Sequence, residues 1–182
     1  MSKEELQIPS GAAADAELDD GRKALIYGGV TGVIIALDQI TKYVVQQTLP
    51  PYQPLPVLGD FFRLTFIYNP GAAFGLHVGP LSRYIFLGLT VACVIVLFVW
   101  FRTTPSSDRL RLIAISLVTA GALGNFIDRV RSSRGVIDFF DVGFGNLRWP
   151  VFNIADIGVT IGAVLLAVSL WREEQEASKD DV

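Results

Sequence analysis

Four stretches of this chain are mostly apolar and close to the roughly 20 residues that a helix needs to cross the hydrocarbon core of a bilayer. They run from Ala24 to about Val45, about Leu81 to Phe101, about Leu110 to Ile127, and Phe152 to Trp171. Such a pattern predicts a mainly α membrane protein with four transmembrane helices. The chain is 51% hydrophobic, and the formal net charge of -3 hides a segregation. Six acids and three bases precede Ala24, five acids and two bases follow Trp171, and the body between holds seven acids and ten bases. Residues 1–23 and 172–182 therefore read as disordered, solvated cytoplasmic tails on one domain spanning 24–171.

Polar residues interrupt the spans at particular ends. Asp38 and Lys42 lie in the last third of the first, Asn125 and Asp128 close the third, and Asn153 and Asp156 open the fourth. With four spans, the end of the first, the start of the second, the end of the third and the start of the fourth share one side of the membrane. The two loops between them, with Asn69, Arg129 and Asp138, share it too. Asn153 and Asp156, three apart, fall on one helix face, as do Gly121, Asn125 and Arg129 at four-residue spacing. Asp38 and Lys42, also four apart, are placed to neutralise each other. The loop RTTPSSDRLR carries Arg102, Arg109 and Arg111 and is expected to be cytoplasmic. The opposite side also holds Arg129, Arg131, Arg134 and Arg148, so the charge asymmetry is small.

The loops on the polar side carry structure. DFFRLTFIYN alternates Phe62, Leu64, Phe66 and Tyr68 with Arg63, Thr65, Ile67 and Asn69, a strand pattern. FFDVGFGNLRWPVF reads as a strand, a Gly-rich turn at 143–146 and a second strand. A small amphipathic sheet on the membrane surface is the expectation. NPGAAFG, Asn69–Gly75, pairs a Pro-Gly turn with small residues that admit close approach of another backbone.

The chain has one histidine, His77, and one cysteine, Cys93, so neither a Ser–His arrangement nor a cysteine-based zinc site is well supported. Carboxylates remain. Asp128, Asp138 and Asp156 lie on the polar side, and two carboxyls held together in a dry site divide into a neutral and an ionised member. Asp138 has the drier flanks, Val136-Ile137 and Phe139-Phe140, whereas Asp128 adjoins Arg129 and is expected to be held by it. Structural ion pairing with the loop arginines, an ion-coupled carrier and a Mg²⁺-dependent lipid-head-group enzyme are the competing readings of these acids.

The motifs DQITK (Asp38–Lys42), NPGAAFG (Asn69–Gly75), GNFIDR (Gly124–Arg129), VIDFFD (Val136–Asp141) and FNIAD (Phe152–Asp156) resemble, in order and interval, those of the lipoprotein signal peptidases, or signal peptidase II. The resemblance spans nearly all of residues 24–171. It implies four transmembrane helices with a small extracytoplasmic β-cradle and a short surface helix, in the bacterial cytoplasmic (inner) membrane. It implies an aspartic endopeptidase that removes signal peptides from prolipoproteins, cutting before a diacylglyceryl-modified cysteine, with no cofactor or metal. Asp138 and Asp156 become the catalytic pair. Asn69, Gly71, Gly121, Asn125, Arg129 and Asn153 become contacts to substrate or to the inhibitor globomycin. Asp38 and Lys42 join that group in a supporting role, and Asp128 becomes a structural support. The expected partners are lipidated prolipoproteins and membrane lipid, not nucleic acid, and the expected state is a monomer.

Overall fold

The computed structural model describes residues 11–71 and 79–180. The element order is α1 (Gly11–Thr48), β1 (Pro54–Leu58), β2 (Phe62–Asn69), a one-turn 3-10 helix (Gly79–Leu81), α2 (Ser82–Thr103), α3 (Arg109–Arg131), β3 (Val136–Phe144), β4 (Leu147–Arg148) and α4 (Ile154–Asp180). The segment from Ala72 to Val78, with most of the NPGAAFG motif and His77, lies outside the described residues, as do the first ten residues and the last two.

All four long helices are apolar and long enough to cross a membrane. Their packing is unequal: half of the apolar window of α3 is buried, against 6% in α1 and 11% in α2. The third helix is therefore the centre of the bundle, and the others turn Val33, Ile40, Leu89, Ile95, Val96 and Val164 outward. In water such an exposed apolar surface would drive association; against lipid it is solvated.

Glycines let α3 and α4 approach. A Cβ at Gly121 would overlap the Ala155 carbonyl, and one at Gly162 would lie 2.8 Å from the Ala114 carbonyl oxygen. Small residues at such positions allow the close backbone contact that holds membrane helices together. At the loop end of α2, Arg83 donates from Nε to the Arg129 carbonyl (2.7 Å) and from Nη2 to that of Val130 (3.0 Å). It thereby satisfies carbonyls that the end of α3 leaves without intrahelical partners.

The sheet has the order β1-β2-β3-β4, antiparallel throughout. A register shift between Leu64 and Ile67 of β2 marks a bulge opposite β3. Val45 of α1, Phe66 of β2 and Ile137 and Phe139 of β3 form a buried cluster that fastens the sheet to the bundle. A second cluster, Leu97, Phe101, Leu112 and Ile115, joins α2 to α3. Gly135, at φ +104°, turns the chain into β3, and a Cβ there would overlap the Asn69 carbonyl. Only glycine fits, and the turn sets β3 beside Asn69.

The ends depart from the expected irregular tails. Helix α1 already runs from Gly11 and α4 continues to Asp180. Both extensions are rich in Ala, Glu, Lys and Arg, which have a high intrinsic preference for helix. Arg172–Lys179 are exposed, with Glu173 bonded to Arg111 (2.8 Å), so that segment is a surface helix.

Candidate active site

The polar ends of α1, α3 and α4 meet the sheet at one end of the bundle, where a cavity of about 790 Å³ opens. Asn69, Asn125, Arg129, Asp138 and Asp156 line its polar wall; Ile67, Trp149, Phe152, Ile157, Val159 and Ile161 contribute its apolar side.

Asp156 is placed by the start of α4. Asn153 precedes the first helical residue, and its Oδ1 accepts from the Asp156 N–H (2.9 Å), while Asp156 Oδ2 accepts from the Asn153 N–H (3.1 Å). This is a capping box: two backbone donors at a helix start are satisfied reciprocally. The other oxygen, Oδ1, accepts from Asn125 Nδ2 (2.9 Å). The carboxylate at the head of a membrane span is thus a helix cap and a cavity wall at once.

Asp138 reaches the same wall from β3. Phe139 and Phe140 both donate backbone N–H to the Phe152 carbonyl (3.0 and 2.8 Å), and Phe152 donates back to Phe140 (3.1 Å). These bonds tie β3 to the residue before Asn153. Asp138 then accepts from Asn153 Nδ2 (2.7 Å) on Oδ1 and from Asn69 Nδ2 (2.9 Å) on Oδ2. Asn153 therefore bonds to both aspartates, and it is wholly buried.

Two acids on β3 sit in opposite surroundings. Burial, and after it the charge of Asp156, pushes the Asp138 carboxyl up to about 7, against the pull of Asn69, Asn153 and the Lys42 ammonium. Burial also raises Asp141, but hydrogen bonds from Arg148, Thr65 and Arg63 outweigh it and hold that carboxyl below the usual range. Asp141 binds Arg63 and Arg148, each also bonded to Asp60, and so ties the far end of the sheet together. Carboxyls whose environments drive them apart take different roles.

Behind the wall, Lys42 Nζ lies 2.8 Å from Asp38 Oδ2, 2.8 Å from Asp128 Oδ2 and 3.0 Å from Asn125 Oδ1. The expected Asp38–Lys42 pair is present, but Asp128 is held by Lys42 and not by Arg129. Consecutive helix residues point in different directions, and Arg129 turns to the carbonyls of Gly71 (2.8 Å) and Asn125 (3.3 Å). Structural pairing with the loop arginines holds for Asp141 but for neither Asp138 nor Asp156.

Of the residues expected to contact substrate, the structure brings Asn69, Asn125 and Arg129 to the cavity. Asn153 lies between the carboxyls, and Gly71 is buried beneath Arg129. Asp38, Lys42 and Gly121 do not line it. Gly121 is filled by α4, and Gly124 by Asp38 and Ala155, so these small residues serve helix packing. Sequence reading missed Gln39. Its Nε2 reaches Asp38 (3.1 Å) and Asp128 (3.3 Å), and its Oε1 accepts from Arg131 (2.8 Å). Its place beside Asp38 within DQITK was the available signal.

The family model described as signal peptidase (SPase) II matches residues 30–172. The chain belongs to the signal peptidase II family. The lipoprotein signal peptidase of Geobacter metallireducens is 40% identical over 157 residues, covering 86% of this chain and 96% of that protein. That of Syntrophus aciditrophicus is 41% identical over 164 residues, 86% of this chain and 99% of the relative. A solved structure described as a bacterial membrane enzyme, determined by the in meso method at 2.3 Å resolution, superposes with a TM-score of 0.75 at 33% identity. That match covers 82% of this chain and 90% of the other. Membership in the signal peptidase II family makes the chain a peptidase of the membrane, with four helices and a small sheet as its frame.

Proposed function

We propose that the protein removes the signal peptide from bacterial prolipoproteins, cutting before a diacylglyceryl-modified cysteine, with Asp138 and Asp156 as the catalytic pair. The observation that carries this reading is the wall itself: two carboxyls share one cavity and one bridging amide, and Asp138 is held near neutrality. The ionised member, Asp156, takes a proton from water as its oxygen attacks the scissile carbonyl. The neutral member, Asp138, gives its proton to the carbonyl oxygen. Collapse of the tetrahedral intermediate returns a proton to Asp138, while Asp156 delivers its own to the departing amine. The apolar side of the cavity suits the lipid and signal-peptide portions of such a substrate. The direct test is a gel-shift assay on a lipidated prolipoprotein, with and without globomycin. Cleavage that globomycin blocks is expected; equal cleavage of the unlipidated precursor would overturn the substrate assignment.

The mechanism has a pH signature. Above pH about 7 Asp138 loses its proton and both carboxyls are ionised, so turnover falls about tenfold per pH unit. Stability follows in the same direction. The folded state keeps a proton between the ordinary carboxyl pKa of 3.8 and about 7 that the unfolded chain has lost, so stability declines as pH rises through that window. Thermal melts in detergent at pH 5 and pH 8 should show the lower Tm at pH 8, and Asp138→Asn should remove the difference. A pH-independent Tm in the parent protein would contradict the protonated Asp138.

We place the cavity at the extracytoplasmic face of the cytoplasmic membrane, with both termini inside. The basic loop around Arg102, Arg109 and Arg111 motivates this orientation. A cysteine at Ser132, at the cavity end of α3 in a protein with Cys93 replaced, should react with an impermeant thiol reagent in intact cells. Labelling only after lysis would reverse the topology.

A further inference from the structure

We propose that Asp38, Lys42 and Asp128 form a jig that sets the separation of the two reacting carboxyls, with Lys42 a positioning residue that meets neither substrate nor water. This rests on the aspartate-pair reading above and adds the device that holds the pair.

The first observation is saturation. An ammonium has three N–H donors and no acceptor. Those of Lys42 meet three acceptors: Asp38 (2.8 Å), Asp128 (2.8 Å) and Asn125 Oδ1 (3.0 Å). Lys42 is 2% exposed and Asp38 fully buried. No donor remains for a substrate, which removes Lys42 from the binding surface.

The second observation is where the two acids lead. Asp38 Oδ1 accepts from the N–H of Ala155 (2.9 Å), the residue before Asp156. Asp128 Oδ2 accepts from the N–H of Ile137 (3.2 Å), the residue before Asp138. One cation therefore clamps two carboxylates, and each carboxylate grips the backbone next to one reacting aspartate. The elements so joined are α1, α3, β3 and α4, and β3 and α4 are the two that carry the pair.

The third observation is the orientation of Asn125. Its Oδ1 accepts from Lys42 and from Asn153 Nδ2 (3.0 Å), so its Nδ2 must turn toward Asp156 (2.9 Å). If the ammonium is removed, one of the two donors that fix this amide is lost. The two acids are also left facing each other in a buried site, an arrangement that separates them. Reacting groups displaced by about 1 Å lose roughly 100-fold in rate.

The test is a set of purified variants assayed on lipidated prolipoprotein across pH. Lys42→Met should lower kcat about 100-fold with KM unchanged. It should also move the descending pH limb upward, because the ammonium that helps hold Asp138 down is gone. The variant retains the other charged groups around Asp138: Asp156 from α4, Asp38 from α1, and Asp128 and Arg129 from α3. If Lys42→Met does not accumulate in membranes, Asp38→Asn serves. It keeps the Lys42–Asp128 pair and the side-chain volume, but one amide oxygen cannot accept from both Lys42 and Ala155 while its NH2 group faces a donor. It should lower kcat at unchanged KM. Wild-type kcat in either folded variant overturns the jig, and so does a raised KM at unchanged kcat, which would make the residue a substrate contact. Asp138→Asn assayed in parallel separates the two ideas. If it retains turnover, the aspartate pair itself is wrong; if it is dead while Lys42→Met is fully active, only the jig fails.

Discussion

Asp138→Asn and Asp156→Asn are each expected to abolish cleavage of lipidated prolipoprotein, a loss of about 10²–10⁴-fold or more, while both proteins still insert and fold. Asparagine keeps the shape of the side chain but can neither release a proton to the scissile carbonyl nor take one from water. The two variants should differ in stability. Asp138→Asn loses one acceptor, for Asn153 or for Asn69, but it removes a carboxyl that folding holds near pKa 7, so its Tm should not fall between pH 5 and pH 8 as the parent's does. Asp156→Asn keeps one oxygen where the parent uses two, for Asn125 and for the Asn153 N–H, so it should melt somewhat lower through a weakened cap. Asp128→Asn should retain residual turnover, because Asp128 acts only through Lys42, Gln39 and the Ile137 amide. Near wild-type turnover by Asp138→Asn would end the assignment. A fully folded, completely inactive Asp128→Asn would point to Asp128 instead.

The second large effect is expected at Gly121, which does not line the cavity. A Cβ there would overlap the Ala155 carbonyl and lie 2.6 Å from Val159 Cγ2, so Gly121→Val must push α4 away from α3. Overpacking of this kind costs about 1–3 kcal/mol. Here it also displaces Ala155 and Asp156 from Asp38 and Asn125, so turnover should fall with stability. The control is Gly88→Ala on α2, where an added Cβ meets nothing within 4 Å. Alanine improves helix propensity over glycine by up to about 1 kcal/mol, so Gly88→Ala should melt no lower than the parent. Gly121→Ala should melt lower despite the same gain. Equal Tm values for the two alanine variants would show that α3 and α4 are not in contact at this glycine.

The four spans, the strand over Phe62–Asn69 and the turn at 143–146 were legible because each has a strong local signal: apolar length, alternation or clustered glycine. The pairing of Asn153 with Asp156 was legible as a three-residue spacing. Strand β1 was not, since Pro54 and Pro56 interrupt it and all five of its residues are exposed; prolines are tolerated there only because it is an edge strand. The start of β3 at Val136, ahead of the expected Phe139, depends on pairing with Tyr68 and Asn69 across the sheet. The ion pair from Lys42 to Asp128 spans 86 positions of sequence, and the choice of Lys42 over the adjacent Arg129 is made by helix rotation. The packing of Gly121 and Gly124 was not legible either, because the sequence does not show which neighbour fills the space beside a glycine.

The reciprocal bonds between Asn153 and Asp156 have a consequence for inhibitor resistance. A compound that grips Asp156 occupies the side chain that starts α4. A substitution that shortens or removes that side chain to evade the compound also leaves the Asn153 amide without its acceptor, at the head of a helix that must cross the membrane. A second-site change in Asn153 fares no better, since it withdraws the amide that Asp138 accepts from. Escape is therefore left to the apolar side of the cavity, around Ile157, Val159 and Ile161, where side chains can change size without touching either bond.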